Sequence, residues 1–577
     1  MAYTTNANLV LRLQFWRAWL TLGALLVLFL ALIGRAVYLQ GYQKDFLREQ
    51  GEARYYRVIK LEANRGTITD RNGNPLAIST PVQSIWASPS DMEPLHASQL
   101  ALLSKALSVP LEELTRKLAD TKRDFVYLKR QMNPDAAQRV LELRIPGIFK
   151  QTEYRRYYPA GEHMAHVIGY TDIDNKGQEG LELTRESMLA GKAGSRHVIR
   201  DRHGYIVEDV TGVEQPKDGQ TLTLSIDQNI QYLAYRELKK AVEENGAKAG
   251  GIVVLDAKTG EVLALANMPS YNPNTRAKLD PARKRNRALT DVYEPGSTMK
   301  PFTAAAAIES GKFTPLTVIN TAPGSMTIGP NTVHDAHPHG ALTVEQVIQV
   351  SSNVGASKMA LSLEREYLWE FFDSVGFGTP PHSGFPGETP GRLRPWKSWR
   401  PIEQATMSYG HGISVSLMQI ARAYMIFATD GEIRPITFQK LVAPQPGRRV
   451  ISAETAQALR KMLEMATQPG GTARKAQIVG YRVGGKTGTS HKLDGGSYVN
   501  KYVSSFVGMA PISDPRLIVA VMIDEPSAGK HFGGAVAAPV FSQVVAGSLR
   551  MLGVPPDAPT QNILLPEPDV PEIKEET

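Results

Sequence analysis

The sequence predicts an α+β fold that follows a single membrane-spanning helix. Three patterns lead to this prediction. Residues 18–34 form an uncharged apolar run. Strand-like segments lie at about 221–266 and again at 480–526, and a helix-rich stretch at about 297–470 separates them. Strands and helices are therefore segregated along the chain, which is typical of α+β domains.

The apolar run is long enough to cross a bilayer, because with the residues after it the run reaches the roughly 20 positions that a spanning helix needs. Arg12 and Arg17 precede it, and no acid does. The positive-inside rule then predicts a short cytoplasmic segment over residues 1–17, an anchor over 18–40 and the rest outside the cytoplasm. A cleaved signal peptide is the alternative, but no small-residue cleavage site follows the run.

The chain is basic, with a net charge of +8, and it has no cysteine. A basic chain can bind nucleic acid, but it can equally lie near anionic lipid or bind a carboxylate-rich polymer. The sequence has no zinc-finger spacing and no RNA-binding motif, so we expect no nucleic-acid partner. Without disulfides the fold depends on its hydrophobic core alone.

Residues 41–219 are predicted to form a first domain outside the anchor. Within it, Asn72-Gly73 indicates a hairpin turn between two apolar stretches. Two further blocks, at 154–161 and 177–182, carry arginine and glutamate residues, and we expect buried Arg–Glu pairs that fix one segment against another. His163, His166 and Glu162 suggest a metal site, but no fourth ligand has the helical or turn spacing to complete one, so no metal is predicted.

Near Thr221 the pattern changes to that of a second domain, predicted over 220–552. Residues 221–227 alternate like a strand, and residues 228–244 have helical spacing. The segments 251–256 and 261–266 flank a turn and predict a hairpin. Residues 553–577 are rich in proline and acids, with too little apolar content to fold, and predict a disordered tail.

Three short motifs point to nucleophilic catalysis. They are Ser297-Thr298-Met299-Lys300, Ser351-Ser352-Asn353 and Lys486-Thr487-Gly488-Thr489. In the first, Ser297 should lie at a helix N-terminus with Lys300 on the same face one turn later. A serine hydroxyl needs an adjacent base to react, and a neutral lysine can take its proton. Alone, the motif is more often a helix cap beside a solvated lysine.

The second and third motifs supply groups that such a serine would need. Ser351 could relay a proton, and Asn353 could hydrogen-bond a substrate amide with both ends of its side chain. A helix cap is the alternative for this cluster. Residues 486–489 could form an edge strand that aligns a peptide substrate. The side chains of this strand could bind the carboxylate of the peptide, and Gly488 permits close backbone approach.

Residues 480–487 also match the phosphate-binding pattern GxxxxGKT. A phosphate-binding loop must be followed by a helix whose N-terminus holds the anion. The residues that follow, 488–496, are turn-rich rather than helical, so the sequence disfavours a nucleotide-hydrolysing enzyme.

The three motifs, in this order, are the signature of penicillin-binding proteins and class A β-lactamases. The blocks at 64–77, 154–161 and 177–204 also resemble the pedestal of class B, monofunctional penicillin-binding proteins. This resemblance covers residues 41 to about 552. It implies the penicillin-recognising transpeptidase fold, an antiparallel sheet flanked by helices, behind an elongated dimerisation-type pedestal. It also implies a peptidoglycan D,D-transpeptidase that needs no cofactor and binds D-Ala-D-Ala stem peptides and β-lactams.

The resemblance further implies a role for each motif residue. The catalytic residues would be Ser297, Lys300, Ser351, Asn353 and Lys486. Substrate and β-lactams would contact Ser352, Thr487, Gly488 and Thr489. The oxyanion hole would consist of the backbone N–H groups of Ser297 and Thr489.

Two later blocks, 408–415 and 532–541, resemble the septal type of this family. Septal members act in cell division with a membrane-embedded glycan polymerase and other division proteins. This implies a bacterial inner-membrane protein whose catalytic domain is periplasmic. Three alternatives stay open: an elongation-type transpeptidase, a β-lactam sensor that signals through its anchor, and a hydrolase. Ser352, where β-lactamases often have Asp, favours the transpeptidase over a β-lactamase.

Overall fold

The computed structural model describes residues 15–47, 56–200, 206–209, 213–275 and 280–559. The chain divides into two compact units that interleave along the sequence. The first comprises Met1–Ala63, Val82–Glu153 and Lys192–Lys217. The second comprises Asn64–Pro81, Tyr154–Gly191 and Asp218–Thr577. Two segments that precede residue 219 therefore belong to the second unit.

The helices of the described part are, in chain order, α1 (Phe15–Val37), α2 (Ala97–Leu107), α3 (Leu111–Leu118), α4 (Pro134–Leu141), α5 (Ala165–Ile168), α6 (Gly180–Thr184), α7 (Glu186–Leu189), α8 (Gln228–Glu244), α9 (Pro281–Lys284), α10 (Arg287–Thr290), α11 (Lys300–Glu309), α12 (Val344–Val350), α13 (Asn353–Leu361), α14 (Arg365–Ser374), α15 (Pro401–Met407), α16 (Leu417–Ala423), α17 (Met425–Ala428), α18 (Ala453–Thr467), α19 (Gly533–Val536) and α20 (Ala538–Met551).

The strands are β1 (Tyr56–Leu61), β2 (Ile68–Thr69), β3 (Pro75–Ala87), β4 (Val126–Met132), β5 (Ile148–Tyr157), β6 (Gly194–Arg200), β7 (Ile206–Asp209), β8 (Leu222–Thr223), β9 (Ala249–Asp256), β10 (Val262–Met268), β11 (Val318–Asn320), β12 (Ser325–Ile328), β13 (Asn331–His334), β14 (Ala341–Thr343), β15 (Glu432–Ile433), β16 (Arg448–Arg449), β17 (Gly484–Asp494), β18 (Ser497–Ala510) and β19 (Leu517–Asp524).

The N-terminal helix α1 carries the apolar run. With the helical turn that follows it, α1 forms the segment Phe15–Tyr42, which contains an 18-residue window with a mean hydropathy of 2.3, and none of that window is buried. It is long and apolar enough to cross a membrane, which agrees with the anchor predicted over 18–40.

The first unit has a small core between strands and helices. The end of β3 pairs antiparallel with β4, with Trp86 opposite Tyr127. Helices α2, α3 and α4 contribute Leu103, Leu114 and Val140 to the same core. Strands β1, β6 and β7 form a separate antiparallel sheet.

The second unit is built on a five-stranded antiparallel sheet in the order β10-β9-β19-β18-β17. Helices α8 and α20 pack against one face, while α11, α16 and α18 contribute to the core on the other. Because both faces are covered, β9 and β10 are buried at every position and read as nearly continuous apolar runs. Strand β17, which carries the third motif, lies at an edge.

Several local predictions are confirmed in this unit. The hairpin expected at 251–266 is β9–β10, and α8 spans the predicted residues 228–244. Asp227 caps α8 by accepting from the backbone N–H of Asn229 at 2.9 Å. The strand expected over 221–227 is shorter, since β8 covers only Leu222–Thr223 and pairs in parallel with β2, and Leu224 adds an isolated bridge to Gln439.

Residues 553–559, at the start of the predicted tail, make contacts with the rest of the chain. The carbonyl of Val554 accepts from the Tyr481 hydroxyl at 2.6 Å, and Asp557 accepts from the backbone N–H of Arg482 at 2.7 Å. The prediction of disorder is therefore wrong for residues 553–559, because a local composition count cannot see these distant partners. The rest of the predicted tail, 560–577, lies outside the described residues.

The expected Arg–Glu pairing is confirmed in the second unit. Glu182 accepts from Arg65 Nε at 2.6 Å and from Arg156 Nε at 2.7 Å. All three side chains are almost fully buried. Arg65 also reaches Glu186 at 2.7 Å. One carboxylate thus joins two chain segments. His166 has a backbone role instead, since its Nε2 lies 2.8 Å from the carbonyl of Arg283.

We expect Arg156→Met to lower the free energy of unfolding by about 3 kcal/mol, because it removes one partner of a buried ion pair. Arg155→Met is the matched control, since Arg155 is the neighbouring residue and is exposed. Chemical denaturation of the two purified variants measures the difference. Equal losses in both would contradict a structural role for the buried pair.

Candidate active site

Ser297 lies in a tight helical turn, Gly296–Met299, that leads directly into α11 at Lys300. The turn requires glycine at 296, where φ is +57° and an added Cβ would lie 3.3 Å from the carbonyl oxygen of Thr489. Pro301 occupies the first turn, where a missing N–H costs little. The prediction that Ser297 lies at a helix N-terminus is confirmed.

Three polar side chains meet at this turn. Lys300 Nζ donates to Ser297 Oγ at 3.0 Å and to Ser351 Oγ at 2.9 Å. Ser351 Oγ in turn donates to Ser297 Oγ at 3.0 Å. Ser297 and Lys300 are each only 1% exposed. The arrangement is a closed triangle in which a proton can pass between the two hydroxyls and the amine.

Ser351 reaches the triangle through an unusual backbone conformation. It follows the last residue of α12 with φ 66° and ψ 41°, in the left-handed region. A non-glycine residue there costs of order 1 kcal/mol and persists only where its surroundings hold it. The carbonyl of Ser351 also accepts from Lys300 Nζ, which anchors the turn.

Asn353 is the first residue of α13, and one end of its side-chain amide forms a hydrogen bond. Its Nδ2 donates to the carbonyl of His334 at 2.8 Å. Its Oδ1 is buried and has no hydrogen-bond partner within the part of the chain that the structure describes. A buried acceptor of this kind requires a donor, and a substrate N–H can supply it.

Ser352 is an N-cap in the structure. Its hydroxyl accepts from the backbone N–H of Gly355 at 2.9 Å and donates to Asp335 at 2.7 Å. The cap predicted as the alternative for this cluster is therefore present beside the triangle residue Ser351. Substrate contact by Ser352 stays a prediction.

We expect Asp335→Ala to slow covalent labelling by a penicillin about tenfold, because misplacing a catalytic group by a fraction of an ångström is costly. Asp335 receives both the Ser352 hydroxyl and the backbone N–H of Val354, at 2.9 Å, and so fixes the start of α13. Thr332→Ala, on the exposed side of the same hairpin, is the control. An unchanged labelling rate in Asp335→Ala would show that α13 needs no such support.

The third motif lies on β17, which pairs with β18 alone. Lys486 is fully buried, and its Nζ donates to Thr487 Oγ1 at 3.2 Å. Thr489 Oγ1 accepts from the backbone N–H of Gly533 at 3.1 Å. The predicted edge strand is confirmed. Because β17 continues as a strand to Asp494, no helix follows the motif, and the phosphate-loop interpretation is wrong.

Close backbone approaches join β17 to the serine turn. An added Cβ on Gly488 would lie 2.8 Å from the carbonyl oxygen of Pro295. The close approach of Gly296 to the carbonyl oxygen of Thr489 is a second contact between the same two segments. Gly410 closes the other side, where an added Cβ would lie 2.3 Å from the carbonyl oxygen of Gly296. These contacts place the backbone at Thr489 beside the turn that contains Ser297. Since Lys300 also contacts Ser351, residues of all three motifs lie together.

Sequence reasoning missed several residues around this site. Glu294 accepts from the backbone N–H of Gly412 at 2.9 Å and from the Tyr498 hydroxyl at 3.1 Å. Burial raises the pKa of Glu294, while these two hydrogen bonds oppose the rise. Thr472 Oγ1 lies 2.9 Å from Thr487 Oγ1. No local pattern could reveal these partners, because they lie far apart in the chain.

His411 is half-buried beside the site, and its buried Nε2 has no hydrogen-bond partner among the residues described. Burial lowers the pKa of its imidazole to about 4, and the charges of His491 and Lys300 add to the effect. The unfolded chain then binds the extra proton first, from about pH 6.5 downward. The contribution of the neutral His411 imidazole to the free energy of unfolding is therefore fully present above about pH 6.5 and is lost as the pH drops towards 4.

We therefore expect the free energy of unfolding to fall by about 3 kcal/mol through His411 alone between pH 6.5 and pH 4. Unfolding measured across this range should show a shallower pH dependence in His411→Leu. His337→Leu, at an exposed histidine, should keep the wild-type slope. The same slope in all three proteins would contradict the buried neutral imidazole.

Comparison with known proteins gives consistent matches. A model of the penicillin-binding protein transpeptidase domain matches residues 250–546, and one of the penicillin-binding protein dimerisation domain matches residues 60–224. The chain is 47% identical over 543 residues to "Probable peptidoglycan D,D-transpeptidase PenA" of Neisseria gonorrhoeae, covering 93% of each. It is 41% identical over 551 residues to "Peptidoglycan D,D-transpeptidase FtsI" of Escherichia coli, covering 94% of this chain and 93% of the relative.

Among solved structures, the transpeptidase domain of Burkholderia pseudomallei penicillin-binding protein 3 is similar to this chain. The identity is 50% and the TM-score is 0.54, over 58% of this chain and 98% of that one.

Proposed function

Since this chain belongs to the class B penicillin-binding proteins and is a peptidoglycan D,D-transpeptidase, we propose that it forms its acyl-enzyme on Ser297 during synthesis of the septal cell wall. The observation that carries the assignment is the triangle of Ser297, Lys300 and Ser351, with hydrogen bonds of 2.9 to 3.0 Å. A hydroxyl within reach of a buried amine is the arrangement that nucleophilic catalysis requires.

Acylation begins when neutral Lys300 accepts the proton of Ser297. The Oγ then attacks the carbonyl carbon of the D-Ala–D-Ala bond, and the oxyanion receives hydrogen bonds from the backbone N–H groups of Ser297 and Thr489. The proton passes from Lys300 through Ser351 to the departing amine, the C–N bond breaks and D-alanine leaves. Ser297 is left as an ester of the donor stem peptide.

Deacylation reverses these roles with a different amine. An amine of a neighbouring stem peptide gives its proton to Lys300 and attacks the ester carbonyl, which forms the cross-link. The proton returns to Ser297 Oγ as the ester bond breaks, so the enzyme is regenerated. A β-lactam acylates the same serine, but its leaving amine stays tethered.

The donor peptide is proposed to bind along β17. Its backbone adds to the free edge of the strand. Thr487, Thr489 and Lys486 hold its terminal carboxylate, and Gly488 allows the close approach. The unpartnered Asn353 Oδ1 accepts an amide N–H of the peptide. Ser352 supports this contact from its cap position.

The protein is a membrane-anchored enzyme with an extracellular catalytic domain. The finer topology that we propose has residues 1–17 in the cytoplasm, 18–40 in the bacterial inner membrane and the pedestal, 41–219, in the periplasm. The transpeptidase domain, 220–552, follows it. Arg12 and Arg17, which precede the apolar run, and the length of that run support this orientation. We propose a membrane-embedded glycan polymerase and other division proteins as partners, on the basis of the septal resemblance.

The assignment is tested by following the intact mass of the detergent-solubilised protein with a penicillin over hours. We expect a single stable adduct that maps to the peptide containing Ser297. A transient adduct with continued consumption of the drug would favour a hydrolase, and an adduct on another residue would overturn the site. For the septal role, a fluorescent fusion should form a mid-cell band, whereas distribution along the side wall would favour the elongation type.

A further inference from the structure

The chain beyond the last helix is bound to the segment that leads into β17. We call residues 553–558 the C-terminal clasp. The carbonyl of Val554 accepts from the Tyr481 hydroxyl at 2.6 Å. The backbone N–H of Ala558 donates to the carbonyl of Gly480 at 3.1 Å. Val554 also packs against the apolar cluster that includes Tyr481. The clasp is thus attached at both of its ends.

Asp557 is the main connection of the clasp. Its Oδ1 accepts from the backbone N–H of Arg482 at 2.7 Å. Its Oδ2 accepts from Ser513, from the hydroxyl at 2.7 Å and from the backbone N–H at 3.3 Å. One carboxylate therefore joins the residue two positions before β17 to the loop between β18 and β19. Two prolines precede Asp557 and restrict the chain, which lowers the entropy lost on binding.

Strand β17 needs such a support more than its neighbours do. It is an edge strand that pairs, among the described strands, with β18 alone, and it is rich in glycine, which specifies strand register weakly. Lys486 and Thr487 lie on β17, and Arg482 lies two residues before the strand begins. The backbone of Arg482 is held from two sides, since its carbonyl also accepts from the N–H of Ile512 at 2.9 Å.

We propose that the C-terminal clasp positions β17 for catalysis and that Asp557 is its positioning residue. The chain after residue 559 is then dispensable for acylation, whereas residues 553–558 are not. This inference rests on the proposed function, because it assigns Lys486 and Thr487 to the substrate carboxylate. It adds that the part of the chain needed for transpeptidation extends beyond α20, to residue 558.

The test compares acylation rates of full-length variants in detergent with a fluorescent penicillin. We expect removal of 560–577 to change the rate constant by less than about twofold, and Asp557→Ala to lower it by about tenfold, as for a displaced catalytic group. Removal of 553–577 should lower it at least as much. Asp557→Asn, which keeps an acceptor for Arg482, should recover the rate to within about threefold of wild type.

Asp514→Ala is the matched control, because this neighbouring acid is exposed and pairs with Lys258 at 2.6 Å. It should acylate at the wild-type rate. The rate constant is read from protein that becomes labelled, so a purely structural defect reduces the labelled fraction and the unfolding temperature but leaves the rate constant unchanged. That result in Asp557→Ala, or full-rate acylation after removal of 553–577, would overturn the proposal. Labelling that persists in Ser297→Ala would instead overturn the proposed function.

Discussion

Replacing Ser297 with alanine is expected to abolish covalent labelling by penicillin, with a loss of at least about 10⁴-fold in rate, while the unfolding temperature stays close to that of wild type. In the proposed mechanism the hydroxyl oxygen of Ser297 becomes acylated, and neither Lys300 nor Ser351 can replace it without moving. The fold should persist, because the substitution removes one small buried atom and leaves the backbone of the turn at 296–299 intact.

Intact mass after prolonged exposure to the drug measures this loss directly. Ser357→Ala is the matched control, because Ser357 is also a buried serine in the same domain but its hydroxyl contacts only the carbonyl of Ala405. It should label normally. An adduct on the Ser297→Ala protein would mean that the triangle is a structural feature and that another nucleophile does the chemistry.

The sequence was most informative where a local rule decides the structure. The helical spacing of residues 228–244 predicts α8, and the segments 251–256 and 261–266 on either side of a turn predict the hairpin of β9 and β10. The order of the three motifs predicts the site, because the chemistry restricts which residue types can serve at each position. These features depend on spacing within a few residues, so a single sequence contains them.

Other features depend on partners that are distant in the chain. The left-handed backbone of Ser351 cannot be read from Ser-Ser-Asn, since any of these residues tolerates several conformations. Nothing in the local sequence distinguishes Asp335 and Glu294 from other acidic residues, because their partners Ser352 and Tyr498 are distant in the chain. Asp557 lies in a proline-rich acidic stretch whose composition indicates disorder. Its three donors, from Arg482 and Ser513, overcome that tendency.

Lys300→Met is expected to lower the acylation rate by at least about 10³-fold, because it removes the proposed base for the serine proton. Methionine preserves most of the volume of the buried stem, so the fold should survive better than with alanine. The matched control is Lys358→Met on α13, where the amine contacts only the carbonyl of Asn320 at a partly exposed position. Stopped-flow measurement with a fluorescent penicillin gives both rates.

Whether Lys300 acts as a base or only as a structural residue is tested by combining Lys300→Met with Ser351→Ala. If the two groups pass one proton along the triangle, Ser351→Ala alone should cost about 10- to 100-fold, yet cost little in the Lys300→Met background, since groups that act as a unit are strongly non-additive. Independent structural roles would instead give losses that multiply. Multiplying losses, together with a lower unfolding temperature for each variant, would reduce Lys300 to a packing residue and leave Ser297 without its base.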